Sequence, residues 1–103
     1  MISEKVYALD TTRLKWEQLP DLNIARSNHS STSLGDATYV ACGYDDSGWL
    51  NSVERLRMGL SGGEKSQCWS LIDIDQLTPR WDAVFSRIGR DELCILGGCA
   101  SRR

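Results

Sequence analysis

The feature of this 103-residue sequence that most constrains its fold is an internal repeat with a period of just over fifty residues. The segment from Trp16 to Arg26 reappears as the segment from Trp69 to Arg80, with the tryptophans 53 residues apart and the arginines 54. Asp36–Gly43 in turn matches Asp91–Gly98, and both ends of this second match are offset by 55 residues. Such regular spacing predicts an architecture built from repeated units.

Local sequence patterns favour strands over helices. Runs with β-branched, aromatic or continuous apolar residues are Lys5–Leu9, Ala37–Ala41, Ser52–Leu56 and Glu92–Leu96. Turn signals separate these runs: Asp10-Thr-Thr, Leu34-Gly-Asp, Asp45-Asp-Ser-Gly and Ser61-Gly-Gly. No window of about eleven residues carries a helical apolar stripe, so we expect an all-β chain with at most a turn or two of helix.

In order, spacing and residue type, these landmarks resemble the kelch repeat over nearly the whole chain. One complete unit carries Arg26, Leu34-Gly-Asp, Tyr39, Cys42-Gly43, Leu50–Leu56 and Trp69. The glycine pair of the family is intact as Gly97-Gly98 but stands as Cys42-Gly43 in the middle unit, where a Cβ is present that the family lacks. The resemblance implies a kelch β-propeller, with Tyr7 and Trp16 closing a preceding unit.

The resemblance also implies a division of the chain into three parts. Residues 1–22 would supply the last two strands of a blade, residues 23–77 a complete four-stranded antiparallel blade, and residues 78–103 the first two strands of the next. A closed propeller has about four to eight blades, so this would be a partial kelch β-propeller whose half-blades expose unpaired edges. We therefore expect a fragment of a larger propeller, a truncated product, or a part completed by self-association or by further blades.

Composition and charge exclude several classes of partner. Twelve basic against fourteen acidic residues give a net charge of −2, without the basic stripe of a nucleic-acid or membrane-surface protein. Apolar runs stay far below the ~20 residues that cross a bilayer. Charged residues such as Glu4 and Lys5 interrupt the N-terminal region, so no signal peptide is predicted. We expect a cytoplasmic protein with reduced thiols.

The sequence carries little that could support catalysis, and we expect no enzyme activity, cofactor or metal. His29 is the only histidine and matches a kelch position at the start of a strand, which favours a structural or surface role. The segment Ser61–Ser66 lacks the spacing of a phosphate-binding loop and is interpreted as a flexible connection. No C-x-x-C pair or nearby histidine completes a zinc set, so we expect structural thiols at Cys42, Cys68, Cys94 and Cys99.

A binding surface is the remaining functional feature. On kelch propellers, partner-binding loops connect the second and third strands and successive blades; here these are Tyr44–Trp49, Asn23–Asn28 and Thr78–Asp82. The candidate partner-binding residues are Arg26, Asn28, Asp45, Asp46, Trp49, Arg80 and Asp82. We expect Trp49 and Trp81 to be the most exposed aromatics. In the alternative interpretation, both tryptophans pack between blades, and Arg26 and Arg80 tie one blade to the next.

The expected function is a non-enzymatic protein–protein interaction module with an unidentified protein partner. By resemblance, this would be part of a scaffold or of the substrate-recognition domain of a ubiquitin ligase adaptor. One alternative is a fragment of a kelch-fold enzyme such as galactose oxidase or a sialic acid mutarotase. The copper site of the oxidase needs several His and Tyr ligands, which the single histidine does not supply. The other alternative is a truncated product with no independent function.

Overall fold

The computed structural model describes residues 2–59, 65–73 and 77–100. Within these ranges all regular secondary structure is β, in twelve strands and five antiparallel sheets, and no helix is present. The strands are, in chain order, β1 (Val6–Asp10), β2 (Lys15–Leu19), β3 (Ser30–Leu34), β4 (Ala37–Ala41), β5 (Tyr44–Asp45), β6 (Gly48–Trp49), β7 (Val53–Arg57), β8 (Ser70–Ile72), β9 (Arg80–Trp81), β10 (Val84–Arg87), β11 (Leu93–Leu96) and β12 (Cys99–Ala100). The all-β prediction is confirmed.

A four-stranded antiparallel sheet forms the centre of the molecule, in the order β3-β4-β7-β8. The inner strands β4 and β7 are paired from Ala37 opposite Arg57 to Ala41 opposite Val53. Both inner strands are largely buried, whereas the outer strands β3 and β8 alternate or are mostly exposed. This difference follows from position, because an inner strand has a neighbour on each side and an outer strand has only one.

Two-stranded sheets flank the central sheet on either side. Val6 and Leu19 of the β1–β2 sheet pack onto a buried cluster. This cluster includes Leu56 of β7 and Trp69, the residue just before β8. On the other side β10 lies beside β3, and Phe85 and Ile95 pack onto a second cluster around Ala41, Cys42 and Val53. Trp69 packs against the neighbouring β1–β2 sheet, and its indole N–H donates to the carbonyl of Pro20 at 2.9 Å. The core therefore lies between sheets.

Glycine is required at two matched positions, Gly43 and Gly98. Both have positive φ, and a Cβ would lie 2.5 Å from the carbonyl oxygen of Ser27 at Gly43 and 2.8 Å from that of Trp81 at Gly98. The residue before each glycine is also left-handed, with φ of 64° at Cys42 and 63° at Gly97. A left-handed conformation is strained for a residue with a Cβ, so Cys42 carries strain that Gly97 avoids.

The four strand runs predicted from sequence coincide with β1, β4, β7 and β11 to within one residue at each end. The short pairs β5–β6 and β9–β12 were not predicted, because two-residue strands leave no periodic pattern. Strands β1 and β2 lie in segment 1–22, β3 to β8 in 23–77, and β9 to β12 in 78–103. Of the predicted connection Ser61–Ser66, residues 61–64 lie outside the described residues.

Candidate functional site

Three segments far apart in sequence meet at one edge of the sheets: residues 24–29, 42–52 and 77–83, together called the loop face below. The antiparallel registers place the end of β4 and the start of β7 at this edge. Backbone hydrogen bonds join the three segments, from Ser27 to Tyr44 at 3.0 Å, from Arg80 to Leu50 at 3.1 Å, and from Asp82 to Asn28 at 3.1 Å. Because each segment is bonded to another, the loop face is a single surface.

An aromatic cluster lies at the centre of the loop face. The ring of Trp81 meets Tyr44 edge-on, with centroids 6.1 Å apart, and lies 6.4 Å from the ring of Trp49. The indole N–H of Trp81 is buried and has no acceptor among the described residues. Trp49 remains 39% exposed. The cluster therefore combines a partly exposed indole with a half-buried one whose donor is unsatisfied.

The expectation that Trp49 and Trp81 are the most exposed aromatics is wrong. Trp16 is 70% exposed and Tyr7 is 58% exposed, both above Trp49. Trp49 and Trp81 cover each other, whereas β1 and β2 carry Tyr7 and Trp16 at one side of the described structure, where no further sheet packs on them.

The β5–β6 hairpin carries the two adjacent aspartates. Asp45 accepts hydrogen bonds from the backbone N–H and the hydroxyl of Ser47, at 2.8 and 2.7 Å, and these bonds hold the pKa of the Asp45 carboxyl below its usual value. Asp46 follows in the turn and is exposed, with no hydrogen-bond partner in the described chain. Asp45 therefore stabilises the turn, and Asp46 is free to contact another molecule.

Asn28 and Asp82 are the matched polar residues of the loop face. Both are exposed, and both are left-handed, with φ of 53° and 57°. Asn and Asp tolerate this conformation better than most residues that carry a Cβ. Backbone geometry is thus one reason for these residue types, and it leaves both side chains at the surface.

Arg26 is not at the surface, and its position favours the structural interpretation. It is 2% exposed, and its guanidinium forms an ion pair of 2.8 Å with Glu54, with both side chains fully buried. It also donates to the carbonyls of Cys42 and Ser52, at 3.0 and 3.1 Å. A side chain enclosed in this way has no surface to offer a partner.

Sequence reasoning missed Glu54, the acidic half of this pair. Its carboxylate also accepts bonds from the backbone N–H groups of Asn23 and Ile24, at 2.7 and 3.1 Å. A buried carboxylate needs such bonds, because its desolvation is otherwise unfavourable by several kcal/mol. Its strand also contains Arg55 and Arg57, so the acidic residue does not stand out, and sequence alone does not pair Glu54 with an arginine 28 positions earlier.

Arg80, the repeat counterpart of Arg26, is only half-buried. Its Nε donates to the carbonyl of Thr78 at 3.0 Å and its Nη1 to that of Gly97 at 3.1 Å. No carboxylate lies within ion-pair distance of Arg80 in the described structure. Of the seven candidate residues, Asn28, Asp45, Asp46, Trp49, Arg80 and Asp82 thus belong to the accessible loop face.

A cleft of about 310 Å³ lies between the β1–β2 sheet and the central sheet, and His29 is at its wall. Partial removal from water and the nearby Arg26 charge lower the pKa of the His29 imidazole. The remaining wall is mostly apolar, with Tyr7, Val40 and Trp69 among its residues. This cleft therefore holds a single titratable base without a carboxylate beside it.

All four cysteines are free thiols, with Cys42 buried, Cys94 half-buried, and Cys68 and Cys99 exposed. Burial raises the pKa of the Cys42 thiol. Over residues 2–59, 65–73 and 77–100, no three histidine, cysteine or acidic side chains come together as a metal site. The same residues form no helix that could cross a membrane.

Neither a comparison with protein-family profiles nor a search of curated proteins finds a match to this chain.

Proposed function

We propose that this chain is part of a kelch β-propeller and acts as a non-enzymatic protein-interaction module through its loop face. The observation that carries the proposal is the convergence of three separate segments on one surface, which carries the Tyr44, Trp49 and Trp81 rings and the exposed side chains of Asn28 and Asp82. Loops held on a rigid sheet are a common setting for recognition residues, and tryptophan is enriched among residues that dominate binding energy.

The propeller part of the proposal is supported by contacts that recur with the sequence repeat. Arg26 donates to the carbonyl of Cys42, and Arg80 donates in the same way to that of Gly97. The order of a two-stranded sheet, a four-stranded sheet and a second two-stranded sheet is the order that the kelch resemblance implies.

Unequal burial of the matched tryptophans supports an incomplete propeller. Trp69 is 4% exposed because the β1–β2 sheet packs against the cluster that contains it. Trp16 stands at the matched position one unit earlier and is 70% exposed. A further blade beside β1 and β2 would cover Trp16 as these strands cover Trp69.

The partner that fits the loop face is a protein with an apolar side chain for the tryptophan cluster and donor groups for the acidic rim. Asp46 and Asp82 are both exposed and carry the negative charge of this rim. Such a surface favours a partner segment with lysine or arginine beside an apolar anchor.

Quantitative affinity capture from cells tests this proposal. The unmodified chain is compared with Trp49→Ala and Asp46→Ala, which remove one ring and one rim charge without touching a core residue. The matched control is Glu17→Ala on the exposed strand β2. We expect a defined partner to be lost or strongly reduced with both loop-face variants and retained with the control. Equal capture by all four proteins would exclude the loop face as the binding site.

A further inference from the structure

Arg26 and Arg80 lie at matched positions and make only part of the same bonds. In each case Nε donates to the carbonyl two residues earlier, at 3.4 Å for Arg26 and 3.0 Å for Arg80. In each case Nη1 donates to the carbonyl of the residue just before the matched glycine, Cys42 at 3.0 Å and Gly97 at 3.1 Å. The two guanidinium groups are therefore each held by the same pair of matched backbone carbonyls.

The bonds that Arg80 lacks all go to β7 and to Ser52, the residue before it. Arg26 donates in addition to the carbonyl and hydroxyl of Ser52, at 3.1 and 3.0 Å, and to the Glu54 carboxylate at 2.8 Å. Glu54 lies on β7, which pairs with β4. The strand matched to β4 is β11, and β10 is its only strand partner in the described chain.

Two backbone N–H groups differ between the repeats in the same way as Arg26 and Arg80. The N–H groups of Asn23 and Ile24 donate to the Glu54 carboxylate. Their counterparts 54 residues later are Leu77 and Thr78, whose N–H groups have no acceptor among the described residues. By the repeat, Arg80 and these two N–H groups correspond to three donors that bind the Glu54 carboxylate in the central sheet.

We propose that the free edge of β11, together with Arg80, is a receptor for an extended strand that carries a glutamate. The β4–β7 register places Glu54 opposite Val40, and Val40 matches Ile95, so the incoming glutamate would lie opposite Ile95. Backbone bonds along β11 hold the strand, and the glutamate pairs with Arg80. The sequence Asn51–Arg57 of β7 is the template for such a strand.

In a second copy of this chain, neither β7 nor the strand matched to it, β1, offers the required carboxylate. Its own β7 is already paired on both edges, with β4 and β8. Its β1 strand has a free edge, but the matched registers of β1–β2 and β7–β8 place Tyr7 where Glu54 stands. The charge of Arg80 therefore favours a strand with a glutamate at the position matched to Glu54, which β1 lacks.

Fluorescence anisotropy with a labelled peptide of sequence Asn-Ser-Val-Glu-Arg-Leu-Arg, titrated with the full chain, tests this inference. We expect the peptide to bind, and its Glu→Gln form to bind about ten- to one-hundredfold more weakly, because a charge-assisted bond is lost. Arg80→Met should weaken the Glu peptide by a similar factor and leave the Gln peptide unchanged. Arg90→Met, which removes an exposed arginine from the β10–β11 turn, is the matched control and should change neither.

The Glu→Gln comparison alters only the peptide, so it stands even if an Arg80 variant fails to fold. Equal affinity for the two peptides, or no binding by a chain whose circular dichroism is β-rich, would overturn the inference. Self-association that blocks the peptide and is relieved by Tyr7→Asp would assign the β11 edge to a second copy, which would also overturn it. The comparison of the two peptides changes neither Trp49 nor Asp46, so its failure is distinguishable from a failure of the proposed function.

Discussion

The buried Arg26–Glu54 pair provides the sharpest test of how this fold is held together. Replacing Glu54 by glutamine keeps the size of the side chain but removes its charge, leaving the guanidinium of Arg26 buried without a counter-charge. The carboxylate accepts bonds from Arg26 and from the N–H groups of Asn23 and Ile24, at 2.7 to 3.1 Å, and both members of the ion pair are fully buried. Breaking such a pair is destabilising by about 3–5 kcal/mol.

Urea unfolding followed by tryptophan fluorescence measures this loss, because Trp69 is buried in the adjacent cluster. With a urea dependence of about 1–3 kcal/mol per molar for small proteins, Glu54→Gln should lower the unfolding midpoint by roughly 2 M. Total stability of a small domain is about 5–15 kcal/mol, so this loss should be a large fraction of the stability of the chain. All samples are compared at one protein concentration.

The matched control is Glu17→Gln, the same chemical change on the exposed strand β2, which should alter stability by less than about 0.5 kcal/mol. Arg26→Met should destabilise as strongly as Glu54→Gln. The double variant should fall short of the sum of the single effects by about 0.5–3 kcal/mol, because the two groups interact directly. A urea midpoint for Glu54→Gln no lower than that of the control would refute the claim that this buried ion pair stabilises the fold.

Three further predictions concern other parts of the fold. Gly43→Ala should destabilise the chain by at least about 2 kcal/mol more than Gly35→Ala in the same urea assay, since both glycines have positive φ but only a Cβ at Gly43 meets a backbone atom, the Ser27 carbonyl oxygen, below 3 Å; similar losses would remove the close approach as a cause. With a thiol reagent at pH 8, Cys68 should react quickly and Cys42 only at the rate of unfolding, because Cys42 is 1% exposed and burial raises its pKa; rapid labelling of Cys42 in folded protein, seen by mass spectrometry, would contradict its burial. The pKa of His29 is lowered in the fold from 6.5, so the unfolded chain binds more protons and stability should fall as pH drops through about 6.5 toward the lower folded value; His29→Gln should lose this part of the pH dependence in melts at pH 7.5 and 5.5, and an unchanged dependence would assign it to other groups.

The sequence predicted the strands better than the contacts of their side chains. The four runs that became β1, β4, β7 and β11 were visible because a strand of about five residues leaves a local apolar pattern. The buried partner of Arg26 was not visible, because residue 54 is adjacent to it only after β7 pairs with β4. Pairings of this kind depend on register, which the local pattern does not fix.

The loop face was predicted in outline and misjudged in detail. The three segments that form it were named from the order of the repeat, but the burial of Arg26 and the mutual covering of Trp49 and Trp81 follow from how the segments pack. The largest aromatic exposure lies instead at Trp16, on the outermost sheet. The exposure of a side chain depends on which distant residues pack against it, and the local sequence does not identify those residues.

The central claim is that this chain is a partial propeller whose half-blades are open, and size-exclusion chromatography with light scattering, combined with circular dichroism, tests it most directly. The exposed apolar side chains of β1, β2 and β11, among them Tyr7, Trp16 and Leu96, should drive self-association of the isolated chain, or leave it melting early. We therefore predict a β-rich species larger than the 11.5 kDa chain, or an aggregate. A β-rich monomer near 11.5 kDa that unfolds in one sharp transition well above ~50 °C would contradict the account.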